Sequence, residues 1–587
     1  MTAWASAGWW WQHLPVLPVL LPAFTAMALL ILGDHGGSSS GHAPARLRWA
    51  RRIGLASACL GLGLAVLLVG QAASGVLAVY RVGDWPAPYG IVLVVDRLGA
   101  MMLLLTSLVA LPVLAYASGG WDAHGRYFHA MFQFQLMGLN GAFVTGDLFN
   151  LFVFFEVLLI ASYVLMVHGQ GGQRFKVGLH YVVLNLVASA LFLIGVSLLY
   201  ARTGTLNLAD LALRVPMVQG PDAVVVQAAG LVLLVVFGFK AALAPLSLWL
   251  PATYAAAAAP VAALFALMTK VGVYAILRVQ GVVFGPEAGD SALVAEPLLL
   301  PLALATSVLG VLGALAARTL ERLVAWLTVA SVGTILLGIG LFGSAGWAAA
   351  LYYMANSTLV VAGLFLLSEL VASQRGEAAD KLVPAAPVAQ PALLGTLMLL
   401  AAASAAGLPP LPGFIGKLLM LEASSAHAWQ GALWGVILGG GFLTLLGLAR
   451  AGSVLFWHVR VEPSDRASVT SGGAGASPTL LAATLALLAA TVAMSVFAAP
   501  IQRYTTQAAE QLLDRGAYAR AVLGEAGLDA QTARPYRFPI PAAPGASAAP
   551  APSTVPTAPI APITPITPIT PITPIVPTAP APQEAKP

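Results

Sequence analysis

Four ionisable side chains, Glu156, Lys240, Lys270 and Lys417, sit in the middle of apolar runs long enough to cross a bilayer. A charge at the membrane centre costs at least about 2.5–3.5 kcal/mol on insertion scales, so such residues face a bundle interior or a water path and mark an ion or proton route. The chemistry that suits this set is the holding and release of protons in a dry interior. Loss of hydration disfavours the ammonium form of a lysine and a nearby carboxylate favours it. A Glu156–Lys240 ion pair that opens and closes would therefore release and recapture a proton, with Lys270 as its next acceptor. Asp147, near the outer end of the fifth apolar run, and His180, at the start of the sixth, are secondary candidates; a satisfied buried histidine is the plain alternative for His180. A single membrane lysine can snorkel to an interface, but the apolar neighbours around all four residues make that difficult for the whole set.

The elements that must position these groups are membrane helices. Of 587 residues, 59% are hydrophobic and 9% are charged, against roughly 25% charged in a soluble domain. Runs of about 20 mainly apolar residues occur near 14–33, 53–79, 97–117, 127–146, 148–167, 178–200 and 223–250. Seven more lie near 259–279, 297–316, 322–342, 347–372, 391–420, 431–457 and 478–499, giving about fourteen transmembrane helices in an all-α polytopic membrane protein. Two runs read as broken helices: FGFKAALAPLSLWLP, with Lys240 five residues before Pro245, and GLPPLPGFIGKLL, with Lys417 five residues after Pro412. Proline removes a helix hydrogen bond and clashes with the preceding turn, and irregular backbone at membrane depth survives only against protein or a water-filled cavity. Paired interrupted helices point to an inverted-repeat transporter and its ion route.

Alternate loops differ sharply in charge: thirteen Lys and Arg residues fall in one set, and only Arg81, Arg202, Arg214 and Arg278 in the other. By the positive-inside rule, fourteen spans then place both termini on the outer side. No Lys or Arg precedes the first run, and Trp9, Trp10 and Trp11 suit an interfacial belt, so no cleavable signal peptide is expected. Cys59 is the sole cysteine, which leaves no disulfide, zinc site or cysteine-held iron–sulfur cluster to be built from this chain, and no metal or cofactor is expected. Topology explains the net charge of +5 without nucleic acid.

The membrane domain spans 1–500. Residues 501–534 mix Ile501, Tyr504, Leu512, Tyr518 and Val522 with charges and read as a possible amphipathic surface segment. Residues 535–587, with the repeat ITPITPITPITPI, are Pro/Ala-rich and read as a disordered outer tail of polyproline-II character.

The run TGDLFNLFVFFEVLLIASYVLMVHG from Thr145 to Gly169, with LHYVVLNLVASALFLIGVSLLYARTGTLNLADLA and KAALAPLSLWLPATYAAAAAPVAALFALMTKVGVYAILRV, resembles the D-type subunit of the Mrp-type (Mnh/Pha-type) multisubunit monovalent cation/proton antiporter. The likeness extends over roughly 90–457 and reaches the antiporter-like membrane subunits of proton-pumping NADH:quinone oxidoreductase. It implies two inverted five-helix repeats, spans four to eight and nine to thirteen. It implies that Glu156 pairs with Lys240, that Lys270 lies on a central hydrophilic axis, and that Lys417 is the charged residue of the second broken helix. The oxidoreductase relatives usually carry histidine in a P-x-H-x-W-L-P stretch, where this chain has Ser247, and often before Ser-Thr, where it has Asn356. The link between Lys270 and Lys417 is thus expected to run through water and the hydroxyls of Thr328, Ser331 and Thr334.

The function so implied is that of a secondary transporter subunit, not an enzyme, exchanging sodium or potassium for protons in a bacterial inner membrane with other subunits as partners. The alternative is a proton-pumping membrane subunit of a redox complex, an NADH:quinone oxidoreductase or membrane hydrogenase. No phosphate-binding or dinucleotide-binding glycine motif supports hydride chemistry in this chain.

Overall fold

Inside a bilayer every backbone N–H and C=O must be satisfied by protein, which leaves helices as the spanning element for such apolar runs. The computed structural model describes residues 10–33, 43–458 and 475–525. Among the described residues, the chain is a polytopic helical membrane protein with one small antiparallel sheet. In order come α1 (Leu17–Leu32), α2 (Ala43–Ala73), strands β1 (Ala78–Arg81) and β2 (Val92–Val95), α3 (Arg97–Ala117), α4 (Phe128–Val144), α5 (Leu148–Val167) and α6 (Gly172–Thr203). They are followed by the short α7 (Leu208–Arg214), α8 (Pro221–Ala241), α9 (Trp249–Ala256), α10 (Ala259–Val282), α11 (Glu296–Ala316), α12 (Leu320–Ile339) and α13 (Ser344–Ala372). The last are α14 (Pro391–Ala406), α15 (Pro412–Ala423), α16 (Gln430–Phe456), α17 (Pro478–Val496), α18 (Ala498–Leu513) and α19 (Arg515–Leu523).

Twelve helices among the described residues are long and apolar enough to cross a membrane. The fourteen read from sequence differ at two runs. The run at 127–146 is the 17-residue α4, and the run at 391–420 is divided between the 16-residue α14 and the 12-residue α15.

The centre of the bundle is α10, all of whose residues are buried. It packs against α3, α8, α12 and α13. Its approach to α8 depends on Gly272. A Cβ there would lie 2.5–2.9 Å from backbone atoms of Ala241, Phe237 and Lys240, none of which can rotate away. Gly272→Ala is therefore expected to destabilise the fold by about 1–3 kcal/mol, read as a lower unfolding temperature in detergent.

Both proline-rich runs break their helices. After Ala241 the chain turns through Ala242, at φ +62°, and Leu243 donates to the Gly238 carbonyl at 2.7 Å. The non-helical Ala244 N–H is met by Thr306 Oγ1 at 2.8 Å, and Trp249 Nε1 reaches the Phe239 carbonyl at 3.2 Å before α9 runs on. After Ala406, Gly407 takes φ +86°, the left-handed C-cap that glycine adopts without penalty, and Pro412 opens α15. Half-helix α9 packs on α12 and α15 on α13.

Helices α18 and α19 dock on this core, with Ala508, Leu512, Tyr518 and Val522 buried. Arg515 donates to the Val282 carbonyl at 2.9 Å and the Ala212 carbonyl at 2.6 Å, covering the orphan carbonyls at the ends of α10 and α7. The Pro/Ala-rich segment at 535–587, and Arg460 and Arg466, lie outside the described residues.

At one end of α4, Arg51 grips Asp122 with two 2.7 Å bonds and His129 Nε2 lies 2.9 Å from the same carboxylate. Burial alone would push the Asp122 carboxyl up, but the bonds from Arg51 and His129 outweigh it and hold it below the usual carboxylate range. A depressed native value stabilises above the unfolded value of about 3.9 and loses that contribution as pH falls through and below it. Acid unfolding of the wild type is expected to steepen below about pH 4, and Asp122→Asn to remove that component from the denaturation profile.

Candidate functional site

The first half of the site is built on α5, α6 and α8. Glu156 lies mid-way along α5, and Lys240 in the last turn of α8, where the helix dipole favours a cation. They make no direct ion-pair contact in this arrangement, but Glu156 is near enough for its charge to act on Lys240. Two polar residues on one face of α6, four apart, stand between them. Asn185 accepts from Lys240 Nζ at 2.9 Å through Oδ1, and Ser189 donates to the Glu156 carboxylate. Asn185 is itself held by a 2.8 Å bond from Nδ2 to the Tyr181 carbonyl, which fixes its oxygen toward the lysine. Lys240 is 7% exposed and sits 5.9 Å from the centre of the Phe155 ring.

Lys270 is completely buried on α10. Its Nζ lies 3.3 Å from Thr269 Oγ1 and 3.5 Å from Ser331 Oγ on α12, with no carboxylate among the described residues in ion-pair contact. Ser331 also lines a cavity of about 40 Å³ whose wall includes Thr334, Asn356 and Lys417, room for about two or three waters. The Nδ2 of Asn356 and the Oγ of Ser307, both on this wall, are buried without a partner among the described residues, and buried polar atoms of this kind are what ordered water satisfies. At the far side Lys417 Nζ donates to the Ala406 carbonyl at 2.6 Å and lies 3.4 Å from that of Ala405. The lysine on α15 thereby covers the carbonyl end of α14 across the break.

The remaining sequence candidates are scattered. Thr334 is on the cavity wall; Thr328 is buried and donates to the Val324 carbonyl at 3.0 Å, away from that wall. Ser247 is fully buried at the first break, its hydroxyl unpartnered among the described residues. Asp147 caps α5, accepting from the Asn150 N–H at 2.9 Å. His180 is exposed on α6, 2.8 Å from the Lys176 carbonyl, so it is not a buried histidine; Asn185 and Ser189 lie on another face of α6.

Sequence reasoning placed Arg278 in an outer loop, but it lies inside α10, 2% exposed, and is clamped by Asp96 at 2.5 and 2.9 Å. The helix continues to Val282 because this pair and Tyr274, 3.0 Å away, satisfy the guanidinium inside the protein. Asp96 doubles as the cap of α3 through the Gly99 N–H.

A family model described as NADH:quinone oxidoreductase/Mrp antiporter, TM, matches residues 145–445. The chain is 39% identical over 537 residues to the D-type subunit of a probable K(+)/H(+) antiporter of Rhizobium meliloti, covering 86% of this chain and 96% of the relative. It is 35% identical to the D-type subunit of the Na(+)/H(+) antiporter of Alkalihalophilus pseudofirmus, over 88% of this chain and all of the relative. A chain in the structure of the Mrp complex from Dietzia sp. DQ12-45-1b superposes with a TM-score of 0.76 at 29% identity, over 87% of this chain and all of that one.

Proposed function

The chain belongs to the NADH:quinone oxidoreductase/Mrp antiporter transmembrane family, and from that premise we propose that it is the D-type subunit of a multisubunit monovalent cation/proton antiporter whose proton route runs through Glu156, Lys240, Lys270 and Lys417. It is a transporter subunit that works with other membrane subunits, and sodium or potassium is exchanged for protons. The observation that carries the route is the burial of three lysines, at 7%, 0% and 9% exposure, with neutral oxygens rather than carboxylates as their hydrogen-bond partners. Lys270 and Lys417 have no carboxylate in ion-pair contact among the described residues, Lys240 has only Glu156 acting on it from beyond direct contact, and the desolvation cost of the charged form makes release and recapture accessible.

Asn185 and Ser189 act as the bridge between Glu156 and Lys240. A rotation of either side chain makes or breaks the polar link, so opening does not require two charged groups to separate across bare hydrocarbon. From Lys270 the proton passes by Ser331 to water in the cavity beside Thr334 and Asn356, and so to Lys417. Both termini lie on the outer side of a bacterial inner membrane in fourteen crossings, a reading supported by the excess of Lys and Arg in one set of alternate loops.

Substituting leucine for Asn185 tests the bridge. It removes the acceptor of a charged donor, worth about 1.5–3 kcal/mol, and is expected to slow cation-driven collapse of a pH gradient in everted vesicles about tenfold or more. An unchanged rate in an assembled complex would remove Asn185 from the route. Acidification driven by NADH or hydrogen, with no response to sodium or potassium, would instead place the chain in a redox pump.

A further inference from the structure

We infer that helices α1 to α4, away from the lysine route, hold a binding site for one dehydrated monovalent cation, in a small cavity lined by Ser57, Thr106, Ser107, Gln133 and Asn140 beside Pro22 of α1. The cavity measures about 20 Å³, the room of a single water or small alkali ion.

The polar lining is rich in oxygen acceptors, and several of its donors are bonded to backbone carbonyls. Pro22 has no N–H, so the Pro18 carbonyl one turn earlier loses its helix donor. Asn140 Nδ2 supplies one at 2.8 Å, which leaves Asn140 Oδ1 buried and, among the described residues, unpartnered in a side chain only 9% exposed. Gln133, fully buried, gives its Nε2 to the Gly54 carbonyl at 3.2 Å and turns Oε1 toward Ser57 Oγ at 3.4 Å. Thr106 and Ser107 donate their hydroxyl protons to the Met102 and Leu103 carbonyls at 2.8 and 3.0 Å, keeping only acceptor capacity.

A hard monovalent cation is matched, because neutral carbonyl and hydroxyl oxygens are its preferred ligands. No carboxylate among the described residues lines the cavity, so occupancy is weak and responds to cation concentration. The same face of α4 continues to His129, 2.9 Å from the Asp122 carboxylate.

This site deepens the antiport reading by placing a cation within this chain, and rests on that reading only for transport. The test is binding of radioactive sodium, with potassium as competitor, to the full chain purified with its partner subunits, together with cation-driven gradient collapse in vesicles. Thr106→Val, which keeps shape, and Asn140→Leu are expected to raise the half-saturating concentration about tenfold or more, and Gln133→Glu, which adds a charge, to lower it about tenfold. Identical half-saturation in wild type and all three variants, in both assays, overturns the site and leaves antiport standing. Shifted binding without any gradient collapse keeps the site and overturns antiport.

Discussion

Replacing Lys270 with methionine is expected to abolish cation-driven proton exchange while leaving the assembled complex at least as stable as wild type. The side chain is fully buried on a helix whose every residue is buried, and its nearest polar atoms are two hydroxyls at 3.3 and 3.5 Å. A lone buried ammonium is expensive, and an apolar side chain of similar length removes that cost. The group on α10 that faces Ser331, and through it the cavity, would lose its proton. The expected signature is therefore a split: exchange falls by about a hundredfold or more, the size of a removed proton-transfer group, and the unfolding temperature in detergent holds or rises. Exchange retained near the wild-type rate would take Lys270 out of the route, whereas lost exchange with lost stability would make it a structural residue.

Asp96→Ala is expected to produce a larger stability defect than any of the other substitutions named above. Arg278 is 2% exposed and donates two hydrogen bonds to the Asp96 carboxylate, so the variant leaves a guanidinium buried without its counter-charge, at a cost of about 3–5 kcal/mol. The α3 cap is lost with it, adding about 1 kcal/mol. The control is the double variant Asp96→Leu with Arg278→Met, which removes both charges and is expected to regain most of the stability, since an apolar pair of similar volume replaces a buried ion pair at little net cost. Thermal denaturation of the purified complex reads both. A single variant as stable as wild type, or a double variant no better than the single, would contradict this assignment.

What could be read from the sequence followed from contrast. A lysine in twenty apolar residues stands out, and so do prolines five residues from it, which is why Lys240, Lys270, Lys417 and the two helix breaks were legible without coordinates. Asn185 and Ser189 were not, because neutral polar residues are ordinary in membrane helices and their importance lies in facing two groups on α5 and α8. Arg278 was misplaced for a related reason: an arginine at the end of an apolar run resembles a loop residue until its partner is found 182 positions away. The cavity between Ser331 and Lys417 is a product of how α12, α13, α15 and α16 pack, and no local pattern encodes it. The polar file of α4, His129, Gln133 and Asn140 at helical spacing, was present in the sequence but carries no charge at its centre to draw attention.

The most direct test of the lysine route is cation-induced collapse of a preformed pH gradient in everted vesicles containing the chain and its partner subunits, comparing wild type with Glu156→Ala and Lys240→Ala. Collapse is expected on adding sodium or potassium to wild-type vesicles, and none above background with either variant, at equal amounts of assembled complex. Collapse at the wild-type rate in both variants would contradict a proton route through these residues.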